Sequence, residues 1–177
     1  MAPQRWGWHQ LDRRWATRLV DAAGVGPGDW VLDIGAGLGA LTAPLVASGA
    51  HVIAVEAHPE RARFLKQHFG GAVAVVQADA ADLRLPRRPF HVVANPPFAT
   101  TAAVLGRLLQ PGSRLLSAHL VLQDQAARRW AAPTAPGRVR WSSTFDVTSG
   151  WPIPPSAFRP PPPVRARLLV VRRRPGR

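Results

Sequence analysis

Between Trp30 and Trp130 the chain alternates short, continuous apolar runs with amphipathic stretches. Trp30–Ile34, residues 51–55 (ending in Glu56), residues 73–76, Phe90–Ala94 and residues 114–122 predict strands buried on both faces. Between them, residues 38–48, 59–68, 100–109 and 123–130 predict helices, with Gly49 closing the first and Pro59 opening the second. Ahead of this alternation, Asp12 is placed to cap a helix reaching about Ala23, with Leu11, Trp15 and Leu19 on one face and a Gly/Pro turn after it. Residues 1–10 are Trp-rich and irregular. This order is that of an open, mostly parallel α/β sheet.

Beyond Trp130 the pattern changes. Residues 133–137 read as a loop, and residues 138–147 alternate like a strand. Residues 151–163 carry too many prolines for a helix or a central strand, and residues 164–173 form a further strand. Two strands joined without a helix are antiparallel. The expectation is one domain over residues 1–177, built on seven strands with an antiparallel C-terminal one.

Every candidate ligand group falls at the carboxyl end of a predicted strand, where open α/β sheets bind ligands. The first strand runs into Asp33-Ile34-Gly35-Ala36-Gly37-Leu38-Gly39. Glycines there let the backbone approach a ligand closely, and a following helix N-terminus aims N–H groups at it. Taken alone, such a turn is also a plain strand-to-helix connection. Glu56 ends the second strand, where an acid accepts from ribose hydroxyls; Asp79 follows the third, where it accepts from an adenine amino group or caps a turn. The Gly-x-Gly-x-Gly spacing departs from the G-x-G-x-x-G of dinucleotide folds. An acid at Asp33 repels a pyrophosphate and suits an ammonium. S-adenosylmethionine (SAM) combines an ammonium, a sulfonium, a ribose and an adenine.

Asn95-Pro96-Pro97-Phe98, after the fourth strand, is the most specific element. The lone pair of an amino group on a base is delocalised into the ring. Methylating it needs acceptors for its two hydrogens, a task suited to the Asn95 side-chain oxygen and the Pro96 carbonyl. The prolines stiffen the loop, and Phe98 can stack on a base flipped out of its helix.

Charge adds a partner class. Lys and Arg number 23 against 10 Asp and Glu, a formal net charge of +13, and Lys66 is the only lysine. After Asp124 the only acid is Asp146, among Arg128, Arg129, Arg138, Arg140, Arg159, Arg165, Arg167, Arg172 to Arg174 and Arg177; Arg5, Arg13, Arg14 and Arg18 crowd the other end. An Arg-rich excess of this kind suits phosphate and points to nucleic acid. With no cysteine there is no thiolate metal site or thiol nucleophile. No apolar stretch approaches membrane-span length and the N-terminus lacks a secretory apolar region, so the expectation is a soluble cytoplasmic protein without a membrane partner.

The motif at Asp33 to Gly39, Val55-Glu56, Gln77-Ala78-Asp79-Ala80 and Asn95-Pro96-Pro97-Phe98 resembles the successive motifs of class I SAM-dependent methyltransferases. More closely, the chain resembles the Erm-type rRNA adenine N6-methyltransferases and their dimethyladenosine transferase relatives. Phe158 to Val164 is similar to that family's Phe-x-Pro-x-Pro-x-Val segment, and Leu122 to Arg128 to its Leu-Gln-Lys-Glu-x-Ala helix start. Where the family opens with Gln-Asn-Phe-Leu, this chain has Trp8-His9-Gln10-Leu11. The resemblance implies a Rossmann-like fold and SAM bound by His9, Leu11, Asp33, Gly35, Gly37, Glu56, Asp79 and Asn95. It further implies catalysis by Asn95, Pro96 and Phe98 and no metal. The implied substrate is an adenine of 23S rRNA at the macrolide site, naked or pre-ribosomal, methylated by a monomer. The family's small helical C-terminal domain has no counterpart here, as in a short, mycobacterial-type subgroup, which leaves the RNA grip to the Arg-rich ends. Other readings are a SAM-dependent enzyme acting on DNA adenine or a protein side chain, and a non-catalytic RNA-binding protein. A nicotinamide enzyme leaves Asn95-Pro96-Pro97-Phe98 without a role.

Overall fold

The computed structural model describes residues 9–176; Arg5, Trp8 and Arg177, used in the sequence reading, lie outside them. In chain order the elements are β1 Gln10–Leu11, α1 Arg13–Ala23, β2 Trp30–Ile34, α2 Thr42–Ala47, β3 His51–Glu56, α3 Pro59–Phe69, β4 Val73–Gln77 and β5 Phe90–Ala94. They continue as α4 Thr101–Leu108, β6 Leu115–Gln123, α5 Asp124–Ala131, α6 Arg138–Trp141, β7 Phe145–Ile153, β8 Phe158–Arg159 and β9 Ala166–Arg173. Seven strands form one sheet in the order β4-β3-β2-β5-β6-β9-β7. The pairs among β2 to β6 are parallel, while β9 runs antiparallel to both of its neighbours. The expected architecture is present, and β9 is the antiparallel strand.

Local chemistry sets the element ends. Asp12 caps α1, its Oδ1 accepting from the Arg14 N–H at 2.8 Å, and Gly24 ends the helix in the left-handed region. The central strands are apolar on both faces because each face packs against helices. Leu105, Leu108 and Trp130 lie on one side with Leu32, Phe90 and Leu120. Leu19, Leu45 and Leu65 lie on the other with Val31, Val52 and Val93.

One expectation is corrected. Residues 138–147 are not one strand: Arg138–Trp141 is a single helical turn, and β7 starts at Phe145. Alternation over four residues reads alike in both forms, and the anchor decides: Trp141 is buried and donates from Nε1 to the Pro136 carbonyl at 3.0 Å. β7 then runs through Trp151 and Pro152 to Ile153. Proline is tolerated because β7 is the edge strand and its register shifts between Ser149 and Pro152.

The central sheet also buries a histidine. His119 on β6 lies between Val93 of β5 and Val170 of β9, is 3% exposed, and its Nδ1 has no partner. Burial, with Arg172 and His91 adding like charge, lowers its pKa to about 4. Below pH 6.5 the unfolded chain binds a proton that the fold refuses, so stability falls as the pH drops from 6.5 toward 4. His119→Leu is expected to remove about 2 kcal/mol of the stability lost between pH 7 and 4.5. Urea midpoints at the two pH values check this.

Candidate active site

The carboxyl ends of β2 to β6 open into a cavity of about 530 Å³. Asp33, Gly35, Glu56, Asp79, Asn95, Pro96 and Phe98 line it, together with Leu11 of β1 and His9 just before that strand. Gly37 sits in the loop that borders it. All the residues singled out from the sequence thus gather around one space.

The glycine loop differs from its expectation in one respect. Gly35, Gly37 and Gly39 have φ of 76°, 60° and 89°, which keeps residues 38–41 out of the helix, so α2 begins only at Thr42. The first loop N–H groups are also committed within the protein. Those of Gly35 and Ala36 donate to the Val55 carbonyl at 2.8 and 3.1 Å, and that of Gly37 donates to Glu56 Oε2 at 2.8 Å.

Glu56 therefore braces the loop as well as facing the cavity. Its second oxygen, Oε1, accepts from the His58 N–H at 2.9 Å, and the Arg61 guanidinium lies 3.6 Å from it. An ionised carboxylate offers about four acceptor sites, so positions remain for a ligand's hydroxyls. Asp79 caps the turn Ala80–Asp82, its Oδ1 accepting from the Ala81 N–H at 2.8 Å, and it also lines the cavity.

Asp33 is 1% exposed, and its Oδ2 accepts from the Thr42 hydroxyl at 2.6 Å. Burial pushes its pKa up to about 7; the Thr42 bond opposes the shift and the charge on Glu56 adds to it. Folding thus favours the protonated form. This group's contribution to stability is whole below pH 3.8 and is lost as the pH rises through 7. A ligand that brings a cation to Asp33 needs the carboxylate, and is expected to bind about tenfold more tightly at pH 8 than at pH 6. Asp33→Asn flattens that profile and stabilises the free protein at pH 8 by roughly 2 kcal/mol. Calorimetric titrations and thermal melts across pH check both.

At the far side of the cavity, the Asn95 amide donates from Nδ2 to the His9 carbonyl at 2.8 Å. A carbonyl only accepts, so this contact fixes the amide's orientation and leaves Oδ1 unspent. The Pro96 carbonyl likewise accepts no hydrogen bond among the described residues, whereas the Pro97 carbonyl is taken by both the N–H and the hydroxyl of Thr100. Phe98 is half-buried, with its ring centroid 6.3 Å from that of His9.

The sequence reading missed Arg61, Gln123, Pro163 and Val164, which also line the cavity. The last two lie in the Pro-rich segment, whose pattern was visible but whose position was not. β8 in that segment pairs with β1 (Gln10 opposite Arg159, Leu11 opposite Phe158), which brings it to the site. Arg61 carried no signal beyond following Glu56 on the next helix.

The acceptor set fits a nucleoside with a cationic tail. Carboxylates stand at Asp33, Glu56 and Asp79, and alanine, leucine, valine and proline side chains fill the wall between them. The glycine loop closes from below, where a Cβ on Gly35 would strike Pro97.

A family model described as "Ribosomal RNA adenine dimethylase" matches residues 9–177. The rRNA adenine N-6-methyltransferase of Corynebacterium diphtheriae is 38% identical over 146 residues, covering 81% of this chain and 57% of that protein. Ribosomal RNA small subunit methyltransferase A of Synechococcus sp. (strain JA-3-3Ab) is 34% identical over 193 residues, covering 98% of this chain and 68% of that protein. Among solved structures, the 23S rRNA methyltransferase ErmE superposes with a TM-score of 0.82 at 27% identity, covering 93% of this chain and 69% of that one. The chain thus spans between about half and two thirds of the length of these proteins.

Proposed function

The chain belongs to the ribosomal RNA adenine dimethylase family, and on that premise we propose that it methylates the N6 amine of an adenine in 23S rRNA at the macrolide-binding site, using SAM. That modification would confer macrolide, lincosamide and streptogramin-type resistance. The observation that carries the chemistry is the pair of unspent acceptors at the cavity wall, Asn95 Oδ1 and the Pro96 carbonyl. They accept the two hydrogens of an exocyclic amine and turn its lone pair toward the cavity. Phe98 offers a face on which the flipped base stacks. The methylated amine sheds its extra proton readily, so no side-chain base is required.

SAM, when bound, supplies an electrophilic methyl group on a cationic sulfur. Glu56 and Asp79 would hold its adenosine and Asp33 its ammonium, with Gly35 and Gly37 as the backbone cradle and His9 and Leu11 over the remaining wall. Exposed Arg13, Arg14, Arg129 and Arg165 carry no ion pair to a described acid and are free for phosphate. The reading includes a monomer acting in the cytoplasm on naked or pre-ribosomal rRNA. Among the described residues no helix is long and apolar enough to cross a membrane.

The 23S target is supported by the likeness to ErmE. A 16S adenine is the second reading, favoured by the small-subunit methyltransferase similar over 98% of this chain. Purified protein, methyl-labelled SAM and protein-free 23S and 16S rRNA, with the label mapped by primer extension, separate the two. Label on an adenine of 23S rRNA near the macrolide site is expected. Label on 16S rRNA alone overturns the 23S assignment, and SAM binding without label on either RNA overturns naked rRNA as the substrate and moves the reading to an assembling particle or to a target that is not RNA.

A further inference from the structure

His9 joins three parts of the site that are far apart in sequence. Its carbonyl takes the Asn95 amide at 2.8 Å, its Nδ1 lies 2.8 Å from the Pro160 carbonyl, and its ring lies 6.3 Å from Phe98 at 33°. Because Pro160 offers only an acceptor there, Nδ1 must carry the hydrogen, and it does so in both the neutral and the protonated imidazole. The rest of the attachment is backbone: the β1–β8 pairs at Gln10 and Leu11, and the Asp12 N–H donating to the Ala157 carbonyl at 2.7 Å. This ladder begins one residue after His9. Among the described contacts, its imidazole alone ties residue 9 itself to the Pro-rich segment.

The geometry points to His9 as a positioning residue for the target amine, a role distinct from holding the cofactor. By pinning its own backbone to Pro160, the imidazole fixes the carbonyl that orients the Asn95 amide, and so fixes which end of Asn95 faces the substrate. If that carbonyl drifts, the amide is free to rotate by half a turn and present Nδ2 to an amine that has only hydrogens to offer. The contact with Phe98 steadies the stacking face in the same stroke. The inference rests on the proposed amine methylation and names a residue that acts through Asn95.

Three variants separate this role from the alternatives. His9→Ala removes donor and ring, His9→Phe keeps a ring without the donor, and His9→Asn keeps an N–H donor, since the asparagine amide nitrogen occupies the place of Nδ1. Expected is a kcat lowered about tenfold to a hundredfold in the first two, as for a misplacement on the order of 1 Å. SAM affinity, measured by calorimetry, falls far less than the rate, by about threefold at most, because His9 gives the cofactor only part of one wall, and His9→Asn recovers most of the rate. The fall is expected to be equal at pH 6 and pH 8, since both imidazole forms donate. Independently of turnover, the Asn95 side-chain amide resonances of ¹⁵N-labelled protein are expected to shift and broaden in His9→Ala and to return in His9→Asn.

A SAM dissociation constant that rises in step with the lost rate overturns the inference in favour of a cofactor contact. Unchanged kcat and unchanged Asn95 resonances overturn it outright. If His9→Ala does not fold, His9→Phe and His9→Asn carry the same comparison. A wild-type protein that labels no RNA counts against the proposed function, while the Asn95 resonances still decide the inference.

Discussion

Asn95→Ala is expected to lower kcat about a hundredfold to a thousandfold while SAM affinity changes by less than about threefold. The asymmetry follows from where the Asn95 amide is committed. Its Nδ2 is spent on the His9 carbonyl, and its Oδ1 is unspent at the cavity wall. The acceptor it provides matters most when the amine develops positive charge, so its loss is felt in the rate and little in ground-state binding of the cofactor. Removing the side chain also leaves the His9 carbonyl without its donor. That carbonyl is near enough to solvent to find water, so the fold is expected to survive. Asn95→Asp sharpens the test: the acceptor toward the substrate is kept, but the donor is replaced by a charge facing a carbonyl oxygen. A rate nearer to Asn95→Ala than to wild type is expected. Steady-state kinetics with rRNA, beside calorimetric SAM titrations, reads both values. A threefold loss of rate or less in Asn95→Ala would remove the amine-orienting role.

Gly35→Ala is the second large effect, and it comes from packing. At φ +76° an L side chain is strained, and the added Cβ would lie 2.9 Å from Pro97 Cδ, 3.4 Å from Pro96 Cα and 3.5 Å from the Asn95 carbonyl oxygen. None of these neighbours is the end of a flexible chain: one belongs to a closed ring and two are backbone. Nor can the loop retreat, because the Gly35 N–H is held by the Val55 carbonyl at 2.8 Å. The loop from Asn95 to Phe98 must therefore yield. A stability loss of about 3 kcal/mol is expected, the sum of left-handed strain and overpacking, with a rate loss of about a hundredfold or more in the protein that remains folded. Gly28→Ala is the control. At φ +89° it has nothing within 4 Å of the added Cβ, and should cost about 1 kcal/mol with kcat unchanged. Urea midpoints and turnover of the two variants, side by side, separate strain from displacement.

These effects also show how far residues alone can be read. β2 and β5 begin and end where their apolar runs do, since a strand covered on both faces has no polar alternation to blur its ends, and Asp12 and Gly24 announce α1 by capping chemistry. The site residues were legible for the same reason: in a parallel sheet the ends of the strands are the ends of the apolar runs, so Asp33, Glu56, Asp79 and Asn95 had to converge. What stayed hidden was partnership. Nothing in the spacing from Gly37 to Glu56 reveals that the carboxylate takes the loop's own N–H, and nothing links His9 to Pro160 across 151 positions. α6 was misread because a single turn is too short for period to distinguish, and the reach of β7 to Ile153 was not visible because a proline-bearing stretch is permissible at an edge whose location only the sheet order discloses.

That order has a consequence for how the molecule is made. β9, the last strand in sequence, lies inside the sheet between β6 and β7. While the chain emerges from the ribosome, β6 has an open edge and β7 has no neighbour until residues 166–173 arrive. Both wait unpaired, and β6 is strongly apolar, ready to join any similar edge, including that of a second nascent copy. This eight-residue strand thus acts as a zip between two halves already formed, and its arrival ends the interval in which the edge of β6 lies open.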